Sequence, residues 1–244
     1  MTGVPAEDAP RPMIAAHRGV SEGGEENTVA AFVRAVELGC DMIELDVRRT
    51  ADGHLVCCHD PFFAGRFVST HTLDDLRAVG GMSGTTLATL PEAVEALGGR
   101  IRLDVELKEP GYESYVAEVL LAGFAPDEFV MSSFADVSVA RLRAYYPEVE
   151  SGLLLGRGGL RGLFTLHGQL YPARRLAACD ATFVAPHWRL LEAGLLERLH
   201  AIGLPLYAWT VDDDELLGQL ISDPLVAAVI TGRPQVALRM RDAQ

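Results

Sequence analysis

The sequence predicts an α/β protein built as a single (β/α)8 barrel, and three observations carry that reading. Apolar strand-like runs alternate along the chain with segments of helical period, the signature of parallel β/α units. Nine strand candidates can be marked, and one is tied to its predecessor by a link too short for a parallel crossover, which leaves eight. The 244 residues, 49% of them hydrophobic, are enough to bury the core of one such barrel.

In chain order, residues 1–12 are expected to form a loose N-terminal tail, kept open by Pro and charge, and 13–244 one barrel domain. The strand candidates are 13–17, 41–48, 54–59, 101–107, 129–133, 150–155, 182–186, 205–210 and 227–231. A helix follows the first of them: Asn27 is placed to cap it, Val29, Phe32, Val33 and Val36 form its apolar stripe, and Gly39 ends it. Only a few residues around Asp52-Gly53 join 41–48 to 54–59, so these two are antiparallel. The second is then the return arm of a β-hairpin excursion, about 47–59, rising from the barrel mouth. Residues 60–88, rich in Gly, Thr and Ser, read as a short insertion over the same end. Thr89 and Glu92 fit a capping box that starts a helix ending at Gly98. Helical periodicity returns over 112–122, 134–145, 192–202 and 213–221.

Composition excludes several functions. The 34 Asp+Glu against 21 Lys+Arg argue against nucleic acid as a partner, because backbone binding needs cations that displace counterions. The same field repels an anionic ligand at long range, so a phosphate-bearing substrate requires local cations, which a metal would supply. No apolar run reaches the roughly 18 residues of a membrane span, and the first residues lack a basic region followed by an apolar one. Cys40, Cys57, Cys58 and Cys179 follow no framework or metal-site spacing, and reduced buried thiols in a cytoplasmic protein are expected.

Chemistry concentrates on two strands. Alternation puts Glu44 and Asp46, with Met42 and Arg48, on one face of 41–48, and Arg102, Asp104, Glu106 and Lys108 on one face of 101–108. Barrel strands are covered on both faces, so if the apolar face meets the helices the charged face points inward. Buried carboxylates cost several kcal/mol each unless paired or bound to a cation. Near the C-terminal strand ends, Glu44, Asp46 and Glu106 are placed to share one hard divalent cation, Mg²⁺ or Ca²⁺. The spacing fits equally an inward ion network of Glu44 or Asp46 with Arg48 and of Glu106 with Lys108. The histidines favour the first reading. A two-residue turn at Asp52-Gly53 pairs Ala51 with His54 and, counting outward, Asp46 with His59, while His17 ends the first strand at the same rim. Two imidazoles beside carboxylates suit proton transfer near neutral pH, with Arg18 as a bidentate phosphate fork and Lys108 as a point charge.

These residues resemble the glycerophosphodiester phosphodiesterases. The resemblance rests on AAHRG at 15–19, EENT at 25–28, DMIELDV at 41–47, T-x-DG at 50–53, HDP at 59–61, VELK at 105–108, SF at 133–134 and AWTV at 208–211, in the family's order along the chain. It implies a TIM barrel that hydrolyses glycerophosphodiesters to an alcohol and sn-glycerol 3-phosphate. It also implies Glu44, Asp46 and Glu106 as ligands of one divalent cation, and His17 and His59 as general acid and base. Arg18 and Lys108 fall on phosphate contacts, Trp209 on the glycerol end, and Glu26 and Asn27 on rim-ordering positions. Gly232 stands where the family usually has Asp. The 60–88 insertion is short and lacks the usual arginine-threonine signature, although Arg66 is near, and Cys57 and Cys58 replace the usual valines. Two alternatives remain: a lysophospholipase D or sphingomyelinase D-like enzyme using Phe62, Phe63 and Phe67 as a lid, and a non-catalytic phosphodiester-binding barrel.

Overall fold

The computed structural model describes residues 11–21, 23–156 and 166–243. The expected tail, apart from Arg11 and Pro12, lies outside them. The strands are β1 (Met13–His17), β2 (Met42–Arg49), β3 (Leu55–Cys57), β4 (Phe62–Phe63), β5 (Arg66–Phe67), β6 (Arg102–Leu107), β7 (Phe129–Ser133), β8 (Glu150–Leu155), β9 (Phe183–Pro186), β10 (Leu206–Ala208) and β11 (Val226–Thr231). Eight of them run parallel in the order β1-β11-β10-β9-β8-β7-β6-β2, and β1 pairs with β2 to close the barrel. All nine predicted strands are therefore present in place, and β4 and β5 are additional.

Two apolar layers hold it. Outward residues such as Ile14, Ile43, Leu45, Leu103, Val105 and Met131 pack under the helices, together with Phe32, Leu90 and Val116. Inside, Met42, Val130, Phe183, Tyr207 and Ile230 fill the lower barrel. Phe183 fits there because β8 carries Gly152: a Cβ at that position would lie 2.1 Å from Phe183 Cε2. Above this apolar plug the inward positions turn polar, which sets the depth of the site.

β2 has two neighbours along one edge. Its lower part pairs with β1, with His17 opposite Glu44, and its upper part pairs antiparallel with β3. The hairpin is present, but its register corrects the expected one. Thr50 N donates to His54 O, so the turn spans three residues, and the ladder pairs Arg49 with Leu55 and Val47 with Cys57. Cys58 N, not the His59 position, then meets Asp46 through its carbonyl oxygen. The cause is local. The Thr50 hydroxyl lies 2.6 Å from Asp52 Oδ1 and accepts from His54 N at 2.9 Å, and Gly53 adopts φ +91°, so a longer turn is the stable one.

Helix α1 (Val29–Leu38) is capped by Thr28, whose hydroxyl accepts from Ala31 N, and not by Asn27; its fully covered residues are Ala31, Phe32 and Ala35, with Val29 and Val36 only partly covered. The 60–88 insertion is more ordered than its composition suggests. It contains the β4–β5 ribbon and α2 (Leu73–Ser83), which opens with a Thr72/Asp75 capping box. Val56, Phe63, Val68, Leu73, Leu76 and Leu87 form a satellite core beneath it. Helix α3 (Leu90–Leu97) has the predicted Thr89/Glu92 box, and α4 (Glu113–Leu121), α5 (Asp136–Tyr145) and the helices at Leu196–Ile202 and Asp214–Ile221 also lie where periodicity puts them. Helices at Ala173–Cys179 and Pro234–Asp242 also belong to the outer layer. Among the described residues, no helix is long and apolar enough to cross a membrane.

Candidate active site

The polar level above the plug is built by register. Across β2 and β6, Glu44 lies opposite Asp104 and Asp46 opposite Glu106, all four buried. One carboxylate oxygen from each of Glu44, Asp46 and Glu106 lies within 4.8 Å of the others. Three carboxylates this close repel, and burial adds to the cost. Burial together with Asp46 and Glu106 accordingly pushes Glu44 well up, and burial raises Glu106 to about 7 despite Lys108. Asp46 goes the other way: burial opposes ionisation, but Lys108 and Arg18 outweigh it and hold the group at about 2.

Internal cations answer part of this charge. Lys108 Nζ lies 2.7 Å from both Asp46 Oδ1 and Glu106 Oε1, and Arg18 Nε lies 3.1 Å from Asp46 Oδ2. The expected pairing of Glu106 with Lys108 is thus present. Arg48 instead pairs with Glu109 and donates to His59 O, so it does not neutralise Glu44 or Asp46. Asp46 Oδ1 is buried and accepts no well-directed hydrogen bond, because the Lys108 contact is close but misaligned. A hard divalent cation, which takes oxygen ligands without directional demands, fits this donor set.

Arg18 is placed by the turn after β1. Its backbone is left-handed, φ 59°, its N donates to Glu44 O at 2.8 Å and Glu44 Oε2 at 3.1 Å, and Glu26 Oε1 accepts from its guanidinium at 2.6 Å. Glu26 therefore does order the rim. Asn27, also left-handed at φ 55°, is buried and works as a clamp: Nδ2 donates to Asp46 Oδ2 at 2.7 Å and Oδ1 accepts from Asp46 N at 3.1 Å. Two non-glycine residues held in this conformation beside one carboxylate mark where the surrounding structure dictates backbone shape.

His17 Nε2 lies 3.9 Å from Glu44 Oε2 and 3.5 Å from Thr210 Oγ1. Burial, then the positive charge of Arg18, lowers it from 6.5 to about 4. His59 sits beyond the hairpin ladder, its Nδ1 2.8 Å from Asp60 Oδ1, and burial followed by Lys108 lowers it too. Despite the shifted register it reaches the site. His17, Arg18, Glu44, His59, Glu106, Lys108 and Trp209 line one cavity of about 210 Å³. Trp209 is fixed by its Nε1–H to Ala185 O, 2.7 Å, and by edge contacts with Phe134 and His187.

Sequence reasoning left out several cavity residues. Asp104 and Ser132, joined by a 2.8 Å hydrogen bond, form the floor, while Phe134, Leu154 and Ile230 form an apolar wall. The inward alternation of β6 and β7 signals the first two and the SF motif at 133–134 marks Phe134, whereas nothing in the sequence signals Leu154 or Ile230. At Gly232, Asp212 from the loop after β10 accepts from Gly232 N at 2.8 Å and from Thr231 Oγ1 at 2.9 Å, so a carboxylate stands at this side of the mouth after all. His59 also lines a second groove, about 440 Å³, bounded by Glu25, Glu26, Asp60 and Phe62. Of the three phenylalanines considered for a lid, Phe63 is buried and anchors the insertion, whereas Phe62 and Phe67 are exposed and in contact, with ring centroids 4.2 Å apart. A larger groove of about 820 Å³ lies between α1, α2 and α3, away from the convergent charges.

Comparison with known proteins gives one consistent result. Residues 17–236 match the glycerophosphoryl diester phosphodiesterase family. The chain is 29% identical over 246 residues to a glycerophosphodiester phosphodiesterase of Caldanaerobacter subterraneus subsp. tengcongensis, covering 93% of this chain and 97% of that protein. It is 32% identical over 241 residues to a probable glycerophosphodiester phosphodiesterase 1 of Mycobacterium tuberculosis, covering 85% and 84%. The fold is similar to a glycerophosphodiester phosphodiesterase from Parabacteroides distasonis, with TM-score 0.79, 23% identity and coverage of 96% and 98%. It is also similar to an Oleispira antarctica phosphodiesterase solved with the product sn-glycerol-3-phosphate, with TM-score 0.77, 25% identity and coverage of 95% and 97%.

Proposed function

The chain belongs to the glycerophosphoryl diester phosphodiesterase family, and from that premise we propose that it hydrolyses glycerophosphodiesters to an alcohol and sn-glycerol 3-phosphate, using one divalent cation and two histidines. The observation that carries this reading is the cluster of Glu44, Asp46 and Glu106 at a small cavity, which Glu44 and Glu106 line together with His17, His59, Arg18 and Lys108. Residues 13–244 then act as one catalytic barrel domain. The free thiols of Cys40, Cys57, Cys58 and Cys179 suit a reducing, cytoplasmic setting.

Glu44, Asp46 and Glu106 would hold the cation, Mg²⁺ or Ca²⁺, and when bound it stabilises the negative charge that builds on the phosphoryl oxygens. Arg18 presents its guanidinium, braced by Glu26, to the same oxygens, and Lys108 adds a point charge. His17, kept neutral by burial, accepts a proton from the water whose oxygen attacks phosphorus. His59, which faces both the inner cavity and the outer groove, donates to the leaving alcohol, with Asp60 holding its other ring nitrogen. Trp209, Phe134, Leu154 and Ile230 offer an apolar wall for the glycerol carbons, and Asn27 keeps Asp46 in place.

Release of sn-glycerol 3-phosphate across a panel of head groups, with chelator and Glu44→Gln as controls, tests the proposal. Activity is expected to fall at least 100-fold in both controls; release that survives both removes the cation from the mechanism. The exposed Phe62–Phe67 pair beside the mouth makes lysophosphatidylcholine an informative member of the panel. Preference for it over glycerophosphocholine would replace the glycerophosphodiesterase reading with a lysophospholipase D one.

A further inference from the structure

Lys108 is the only lysine in the chain; the remaining 20 of its 21 Lys+Arg residues are arginine. That single lysine is buried at the centre of the site, its side chain 9% exposed, with Nζ 2.7 Å from Asp46 Oδ1 and 2.7 Å from Glu106 Oε1. These oxygens belong to two of the three residues placed to hold the cation. An ammonium and a hard cation cannot both occupy the space between them.

We propose that Lys108 is the resident counter-ion of the carboxylate cluster, and that a divalent cation displaces it toward the substrate phosphate, so that cation and phosphodiester bind cooperatively. The proposal rests on the cation reading above. Three observations support it. The lysine bonds Glu106 with good direction but Asp46 poorly, leaving a buried carboxylate oxygen of Asp46 without a directed donor, so the grip is incomplete on the side where a cation would enter. The residue type fits the task. A guanidinium is a rigid planar fork, as Arg18 is here between Glu26 and Asp46, whereas an ammonium is a compact charge on a flexible stem. Finally, with all three carboxylates ionised, Arg18 and Lys108 leave the cluster with one net negative charge. A divalent cation overshoots to one positive charge, and a phosphodiester monoanion restores balance. Each ligand therefore favours the other, by the same factor in both directions.

The single lysine makes the test direct. Lysine-selective ¹⁵N labelling of the intact protein gives one side-chain ammonium signal. Saturating Ca²⁺ or Mg²⁺ is expected to move that signal, and sn-glycerol 3-phosphate to move it again. By calorimetry, cation affinity is expected to rise about tenfold with saturating sn-glycerol 3-phosphate. Lys108→Met is expected to bind the cation about tenfold more tightly than the unaltered protein when no phosphate is present. Arg18→Gln, which removes the same charge but leaves Lys108 on Asp46 Oδ1 and Glu106 Oε1, is expected to give a smaller gain. An ammonium signal unmoved by a cation shown to bind overturns the proposal, as does Lys108→Met binding no more tightly than Arg18→Gln. Absence of cation binding in every arm overturns the cation reading itself, and this one with it. The labelling measurement needs no variant, so it stands even if a substitution prevents folding.

Discussion

His17 shows how a residue's surroundings set its chemistry. Burial and the neighbouring Arg18 lower its pKa from 6.5 to about 4. The unfolded chain therefore binds a proton between those values that the folded chain refuses, and stability rises with pH across the same interval. Acidification from about pH 6.5 to pH 4 is expected to destabilise the fold by about 2 to 3 kcal/mol through this residue. Urea unfolding of the unaltered protein and of His17→Gln checks this: the difference between their stabilities must change with pH in that window, and a constant difference refutes it. The clustering of Glu44, Asp46 and Glu106 was legible in the sequence because alternation puts their charge on inward strand faces, where it must be paired or bound to a cation. Asn27 was misread as a helix cap because a polar residue before an apolar stripe carries the same signature in either role. Only its left-handed backbone and its paired bonds to Asp46 tell them apart, and both arise from tertiary structure.

At the scale of elements, capping signals proved more informative than composition. Thr89 and Glu92 announced α3 and form the reciprocal bonds of a capping box, Thr89 N donating to Glu92 Oε2 at 2.8 Å and Glu92 N to Thr89 Oγ1 at 3.3 Å. Thr89→Ala is expected to cost about 1 kcal/mol in urea-induced unfolding. A change below a few tenths would show that Arg77, which grips the Glu92 carboxylate from α2, holds this end alone. Thr72 and Asp75 carry the same signal for α2, yet the Gly, Thr and Ser around them suggested a loop. What orders this insertion is non-local: Phe63 packs against Gly80, where a Cβ would lie 2.7 Å from the ring. The hairpin was recognised from its link length, but its register depends on whether two or three residues turn. Thr50 decides that through bonds from its side chain, which strand patterning does not report.

The molecule as a whole carries a formal charge of −13, opposite to what its ligand prefers. Arg18 and Lys108 are effective only at contact, so long-range forces oppose approach of an anion. Raising ionic strength from 0.01 to 0.15 M shortens the screening length from about 30 to about 8 Å. It is therefore expected to raise kcat/KM for glycerophosphoglycerol, which bears net negative charge, by roughly twofold relative to zwitterionic glycerophosphocholine. Steady-state kinetics at the two salt levels measure the ratio, and an unchanged ratio means that the bulk charge does not reach the mouth. The barrel itself was legible because eight repeats of one pattern reinforce each other. The satellite core under α2 was not, since it exists only once distant segments meet.

The shared edge of β2 divides the mouth into an inherited half and an adjustable half. Glu44 stands beside β1, on the seam that closes the barrel, and a change of backbone there disturbs the whole ring. Asp46, further along β2, stands where β3 takes over as the neighbour, and β3 belongs to no ring and leads directly into His59, Asp60 and the exposed Phe62. Insertions after β3 reshape the groove beside His59 without touching the seam that carries Glu44. Changes of chain length are thus borne at the β3 rim and not at the β1–β2 seam.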